Sequence, residues 1–195
     1  MDFYSRINNL KQQSFFTKLV IERGIEKESL RVSKNGFISE QKHPEGLGSS
    51  FTNPSITTDF AEALIEIVTP VYTNLDLLHE KLESLHVFIN KNLENGETLW
   101  PYSIPPKIKH ESDINIATYG KTNMGQLKHI YRKGLAIRYG KTMQCVSGIH
   151  YNFSLSDESL KNLLGTSMQE DKDKAYLGLI RNFKRLFWFI LLEFG

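Results

Sequence analysis

The sequence predicts an α+β fold, a mostly antiparallel sheet with flanking helices. Three observations carry that reading. Residues 148–155 alternate cleanly: Ile149, Tyr151, Phe153 and Leu155 face one way, and Gly148, His150, Asn152 and Ser154 the other, the period of a strand with two unlike faces. Residues 76–92 place Leu78, Leu82, Leu85 and Ile89 on a single helical stripe. Strands and long helices do not alternate regularly along the chain, which argues against a doubly wound parallel sheet.

The elements follow in order. Phe3, Ile7 and Leu10 have helical spacing in the first twenty residues. Residues 24–32 read as a strand, and Lys34-Asn35-Gly36 is a turn from which Phe37-Ile38 returns as the second arm of a hairpin. Pro44, Gly46, Gly48, Ser49, Ser50, Asn53 and Pro54 make 42–55 a loop. Ala63 to Thr69 reads as a largely buried strand closed by Pro70. After the 76–92 helix, Asn95-Gly96 and then Pro101, Pro105 and Pro106 give an extended loop. Leu127, Ile130, Tyr131 and Leu135 form the apolar stripe of a helix over 125–139. Ser156-Asp157 caps a short helix, 165–173 reads as a polar linker, and Tyr176, Ile180, Phe183, Phe187 and Ile190 line a final helix.

With 195 residues the chain is long enough for one substantial core. A formal net charge of +2 gives no electrostatic case for nucleic acid or an anionic membrane. The lone Cys145 excludes an internal disulfide and reads as a small buried hydrophobe. The start lacks the basic and apolar regions of a signal peptide, and the apolar run 186–192 is too short to cross a bilayer. The expectation is a cytoplasmic protein.

Candidate chemistry begins with Glu26 and Glu28. On a strand they project from one face, with attachment points about 6.5–7 Å apart at roughly 3.3 Å rise per residue. Such a pair is either solvated or holds cations. Glu66 lies between Ile65 and Ile67 inside an apolar strand, where a carboxylate needs a partner. Asp59 sits at the mouth of that segment after Thr57-Thr58, and Glu62, near its start, reads as solvated. His150 shares the polar face of its strand with Asn152. Taken singly, each has a plain reading as a salt-bridged, capping or hydrogen-bonded residue. Taken together, their oxygens suit a hard cation such as Mg²⁺ or Mn²⁺, although histidine is an unusual partner for Mg²⁺.

Residues 121–141 hold six basic side chains and no acidic one. Lys128 and Arg132 lie one helical turn apart. The group is either a solvated face or a site for substrate anions, with Arg132 suited to bidentate contact. The chain contains no phosphate loop with the Gly-x-x-x-x-Gly-Lys-Ser/Thr spacing, no dinucleotide-binding glycine fingerprint and no protein-kinase motif set.

Six stretches share one resemblance: GIEKESLRV at 24–32, HPEGLGSSFT at 43–52, ITTDFAEALIEIVTP at 56–70, LWPYSIPP at 99–106, YGKTNMGQLKHIYRKGLAIRYGKTMQCVSGIHYNFSL at 119–155 and IRNFKRLFWFILLEFG at 180–195. In order and collinear, they resemble the amino-terminal part of the proteobacterial type of glutamate–cysteine ligase. The resemblance implies part of a glutamine-synthetase-like carboxylate–amine ligase fold. It also implies a reaction in which ATP phosphorylates the side-chain carboxylate of glutamate and the amino group of cysteine attacks the acyl phosphate, the first step of glutathione biosynthesis. Carried over by motif position, Glu26, Glu28, Asp59, Glu66 and His150 resemble ligands of Mg²⁺ (or Mn²⁺) or their neighbours. Phe60, Tyr131, Arg132, Leu135 and Gln144 resemble parts of the amino-acid pocket, with Asn152 a further addition. No general base is assigned.

The family's members are considerably longer, so the resemblance implies that residues 1–195 are the amino-terminal portion of one catalytic domain. The expectation is a chain that is inactive by itself, as a truncated product or as a subunit completed by a second chain. A non-catalytic remnant and a related ligase with another amine acceptor are the alternatives, the latter disfavoured by the residues from Tyr131 to Gln144.

Overall fold

The computed structural model describes residues 2–12 and 14–194, without the side chains of Phe3 and Arg6. The expected packing of Phe3 and the place of Gly195 lie outside the described portion. The chain forms two compact units, Arg23–Phe153 and Met1–Glu22 with Ser154–Gly195.

The larger unit is built on a long strand, β1 (Ile21–Val32). β2 (Ile56–Thr58) and β3 (Leu64–Val68) form an antiparallel pair, and β3 pairs antiparallel with β1 in the register Glu26↔Val68, Glu28↔Glu66 and Leu30↔Leu64. The short β4 (Thr98–Leu99) joins β1 at Arg31 and Val32. The order is β2-β3-β1-β4, and β5 (Ile149–Leu155) also pairs with β1. The hairpin expected after β1 is present in minimal form. Ser33 N–H donates to Phe37 O, Gly36 N–H donates to Ser33 O, and a single bridge joins Val32 to Ile38.

Alternation along the strands divides the sheet into two unlike faces. Ile56, Ile65 and Ile67 form one apolar face, packed with Leu47 and with Leu85 and Ile89 of α3 (Leu75–Asn92). Asn74 caps that helix, its Oδ1 accepting from Leu77 N–H at 3.0 Å. On the opposite face, Leu30 and Leu64 enter a second core with Ile38, Phe60, Ala61, Ala63, Ile114 and Cys145. Along this second face Leu30 is followed by Glu28 and Glu26, and Leu64 by Glu66. The apolar pattern ends where the acids begin.

α4 (Asn123–Tyr139) starts from Thr122, whose hydroxyl accepts from Gly125 N–H at 3.1 Å. Gly125 has no substitute there, because an added Cβ would overlap the carbonyl oxygen of Tyr119. The predicted stripe of this helix needs correction. Leu135 packs against the second core, whereas Leu127, Ile130 and Tyr131 are exposed. β5 differs similarly: Ile149, Tyr151 and Phe153 are exposed although their alternation predicts a covered face. Spacing identifies an apolar face but not what lies over it.

The smaller unit contains α1 (Phe3–Gln12), α2 (Phe15–Lys18), α5 (Asp157–Leu164) and α6 (Gln169–Phe194). Leu10, Phe15 and Leu160 are buried. Ser156 caps α5 by accepting from Ser159 N–H at 3.2 Å. α6 begins inside the segment read as a polar linker, with Lys174 paired to Glu170 one turn earlier. Ile180, Phe183 and Phe187 of its expected stripe are exposed. Among the described residues no helix is long and apolar enough to cross a membrane.

Cys145 is buried, and burial pushes its thiol up to about 12, with Glu111 adding to the effect. A thiol so rarely ionised is a poor nucleophile. Iodoacetamide at pH 8 is expected to alkylate the native chain at least about 100-fold more slowly than the urea-unfolded chain. Equal rates followed by mass spectrometry would contradict this placement.

Candidate functional site

The antiparallel register sets Glu28 directly opposite Glu66, a position where like charges repel across the strands. Burial raises the Glu28 carboxyl above its ordinary range, with repulsion from Asp59 and Glu26 adding to the shift. The Gly148 N–H opposes that rise by donating to Glu28 Oε2 at 2.8 Å, and the charge of the neighbouring His150 opposes it through space. Burial likewise raises Glu66, reinforced by Asp59, Glu28 and Glu26. Four carboxylates from β1, β3 and the turn at the end of β2 therefore share one electrostatic environment.

β5 lays its polar face along the outer end of this row. Asn152 Nδ2 donates to Glu26 Oε1 at 3.0 Å, and His150 Nδ1 lies 3.3 Å from Glu26 Oε2. Gly24 faces Asn152 on β1, where a Cβ would meet that side chain in ordinary contact. The alternation that left the apolar side of β5 exposed thus directs His150 and Asn152 to the acids.

At the other flank, Asp59 occupies the turn between β2 and β3, its N–H donating to Leu64 O. Arg132 Nε donates to the Asp59 carbonyl oxygen, and its Nη2 lies 3.8 Å from Asp59 Oδ1. The guanidinium stands 4.7 Å from the centre of the Tyr119 ring, with Lys128 Nζ 4.9 Å from the same ring. Lys128 and Arg132 share a helix face, as their spacing predicts. In this structure Arg132 binds the main chain of Asp59.

The remaining expected pocket residues are dispersed. Phe60 is 1% exposed and sealed in the second core, so it supports the wall from behind. Leu135 packs against the same core, and Tyr131 stands on the exposed face of α4. Gln144 lies in the 3-10 turn Thr142–Cys145. Glu62 corrects the solvated reading: at 5% exposure it accepts from His43 N–H, Thr118 N–H and the Thr118 hydroxyl. Three donors account for a carboxylate buried beside an apolar strand. Sequence reasoning missed Gly148 and Tyr119. Gly148 had a faint signal in its position at the head of the alternating strand, whereas Tyr119 had none.

The donor set is, in its chemistry, of the kind a hard divalent cation takes. Its carboxylate oxygens are half-buried and mutually repelling, and two of them resist ionisation, a conflict that a bound cation relieves. Among the described residues no three His, Cys, Asp or Glu side chains are already gathered as a metal cage.

Comparison with known proteins gives a consistent set of relatives. Residues 5–195 match the family model described as glutamate-cysteine ligase. The glutamate–cysteine ligase of Hahella chejuensis is 44% identical over 196 residues, covering 98% of this chain and 37% of the relative. That of Pseudomonas entomophila is 49% identical over 178 residues, covering 88% of this chain and 33% of the relative. The crystal structure of glutamate–cysteine ligase from Francisella tularensis in complex with AMP superposes with a TM-score of 0.73 at 41% identity, over 75% of this chain and 29% of that one. A bifunctional glutathione synthetase from Pasteurella multocida gives a TM-score of 0.85 at 30% identity, over 95% and 25%. The chain spans about a third of the length of the curated relatives it matches.

Proposed function

The chain belongs to the glutamate–cysteine ligase family, and from that premise we propose that it carries the acid-lined part of a site for ATP-dependent ligation of L-glutamate to L-cysteine. The γ-phosphoryl group of ATP passes to the γ-carboxylate of glutamate, forming γ-glutamyl phosphate and ADP. The amino group of cysteine attacks the acyl carbon, phosphate leaves, and γ-glutamylcysteine remains. The observation that supports this reading is the Glu28–Glu66 pair, with Glu26, Asp59 and His150 around it, on the sheet face where the apolar pattern of Leu30 and Leu64 gives way to acids.

Glu26, Glu28, Asp59, Glu66 and His150 would hold Mg²⁺, or Mn²⁺, which accepts a nitrogen ligand more readily. Such a cation, when bound, neutralises phosphate charge and aligns the reacting oxygens. Asn152 and His150 hold the Glu26 carboxylate in place. Gly148 fixes one oxygen of Glu28, leaving the other for the open face. Tyr131, Leu135, Gln144 and Arg132, spread over α4 and the turn after it, would supply the amino-acid side of the completed site, with Phe60 behind it and Asn152 at its β5 edge. The cytoplasm, which holds ATP and reduced cysteine, is the proposed compartment.

The apolar residues exposed on α4 and β5 support a chain that works beside further polypeptide. By itself the chain is expected to form no γ-glutamylcysteine from glutamate, cysteine, ATP and Mg²⁺. A chimera in which it replaces the matching part of the Hahella chejuensis relative is expected to form the product, detected by mass spectrometry. A folded but inactive chimera would overturn the ligase reading, and product from the isolated chain would overturn the need for a completing polypeptide.

A further inference from the structure

We propose that Tyr119 is the positioning residue that fixes Asp59 and Arg132 relative to the acid row, through one hydroxyl and one ring face. The claim rests on the reading of that row as a cation site. Tyr119 is 4% exposed and precedes α4, outside the strands that carry the acids. Its hydroxyl lies 2.7 Å from Thr58 O and 2.9 Å from Asp59 O, so one O–H is shared between the last carbonyl of β2 and the first of the turn. The direction of the Asp59 side chain depends on that turn.

The ring performs a second task. The Arg132 guanidinium stands 4.7 Å from its centroid while Nε of the same group donates to Asp59 O. Tyr119 and Arg132 therefore meet at one carbonyl oxygen, one reaching it with a hydroxyl and the other with a guanidinium held against the first residue's ring. Lys128 Nζ lies 4.9 Å from the Tyr119 ring and 5.5 Å from that of Phe51, whose edge meets Tyr119 at 6.5 Å between centroids. Cations resting on an aromatic face are attracted to its negative quadrupole. Two positive charges are thereby held beside a row of negative ones, the Arg132 guanidinium 3.8 Å from Asp59 Oδ1.

The main chain of Tyr119 is constrained as well. Its carbonyl oxygen occupies the space that a side chain at residue 125 would need, and Thr122 caps the helix turn that brings Gly125 there. Tyr119 is consequently registered to α4, which carries Arg132, and to the β2–β3 turn, which carries Asp59. A residue that only filled the core would need neither the shared hydroxyl nor the stacked guanidinium. Partners that orient ligands from outside the ligand set are commonly worth 10–100-fold in metal affinity.

The test uses the 195-residue chain, Tyr119→Phe and Tyr119→Leu, with two readouts: Mn²⁺ affinity by EPR, and hydrogen exchange of the Arg132 Nε–H by ¹⁵N NMR. Tyr119→Phe keeps the ring and removes the hydroxyl; it is expected to weaken Mn²⁺ about tenfold and to quicken the exchange. Tyr119→Leu removes both and is expected to weaken Mn²⁺ about 100-fold. Unchanged affinity and exchange in folded variants, with a lowered Tm alone, would make Tyr119 a packing residue and overturn the proposal. If the wild type binds no Mn²⁺, the reading of the acid row fails, and the exchange decides for Tyr119 alone. Quicker exchange then sustains its positioning of Arg132, and unchanged exchange overturns it.

Discussion

Glu66→Gln is expected to weaken Mn²⁺ binding at least about 100-fold, since even residues one step removed from a metal are worth 10–100-fold. The same substitution is expected to stabilise the cation-free chain at neutral pH by roughly 0.5–1 kcal/mol, the scale of a cross-strand charge pair. Both effects have one origin. Glu66 faces Glu28 across the ladder, and burial together with neighbouring acids holds both carboxyls above their ordinary range. Each therefore takes up a proton more readily in the folded chain than in the unfolded one. Their contribution to stability is greatest below the ordinary glutamate range and is lost as pH rises through the elevated folded values. Across that window the wild type in chelator should lose more stability than Glu66→Gln. Adding Mn²⁺ at neutral pH should raise the Tm of the wild type and leave that of the variant unmoved. A variant less stable than wild type in chelator would show that Glu66 is held by favourable contacts instead.

Arg31→Ala is expected to have the largest effect on stability, at about 3–5 kcal/mol for breaking a buried ion pair. Arg31 is 1% exposed on β1, and its Nη1 donates to Glu97 Oε2 at 2.6 Å. Its Nη2 donates to the carbonyl oxygens of Gln41, Lys42 and Glu62 at 2.7, 2.9 and 3.0 Å. The Ser39 hydroxyl donates to the other oxygen of Glu97. One guanidinium thus ties the loop after β1, the turn before β3 and the segment before β4 to the central strand. Truncation leaves a buried carboxylate without its counter-charge, with only the Ser39 hydroxyl donating to it, and removes the guanidinium donor from three carbonyls. Thermal melts should show a fall of roughly 6–20 °C, at 2–4 °C per kcal/mol for a chain of this size. Lysine, with a single ammonium, cannot span four acceptors and should not rescue. Arg31→Met with Glu97→Met should recover part of the loss by removing both charges, the three carbonyls limiting the recovery. Arg31→Ala melting with the wild type would contradict this role.

Local pattern located β1, β3, β5 and the longer helices but not the short β2 and β4, and it stopped at their surroundings. The alternation at 148–155 marks β5 and correctly sets His150 beside Asn152, because strand geometry settles which side chains share a face. It cannot show that Ile149 and Tyr151 are exposed, since apolarity records a tendency to be covered and not the presence of a cover. Glu26 and Glu28 are legible as a same-face pair, whereas their meeting with Glu66 depends on the register of β1 against β3 and lies outside local spacing. Glu62 was misread because the donors at His43 and Thr118 come from distant segments. Arg31 was missed for a related reason: in the sequence it is a charged residue at a strand end, and only the assembled unit surrounds it with acceptors. Tyr119 acts through a carbonyl oxygen and a guanidinium brought together by two different elements, a relation with no sequence period.

Mn²⁺ titration followed by EPR, on the wild type and on Glu28→Gln with Glu66→Gln, addresses the acid row most directly. A cation-binding face predicts one Mn²⁺ per wild-type chain at neutral pH, competed by Mg²⁺, and no saturable binding by the folded double variant. Equal Mn²⁺ binding by the two proteins would contradict it.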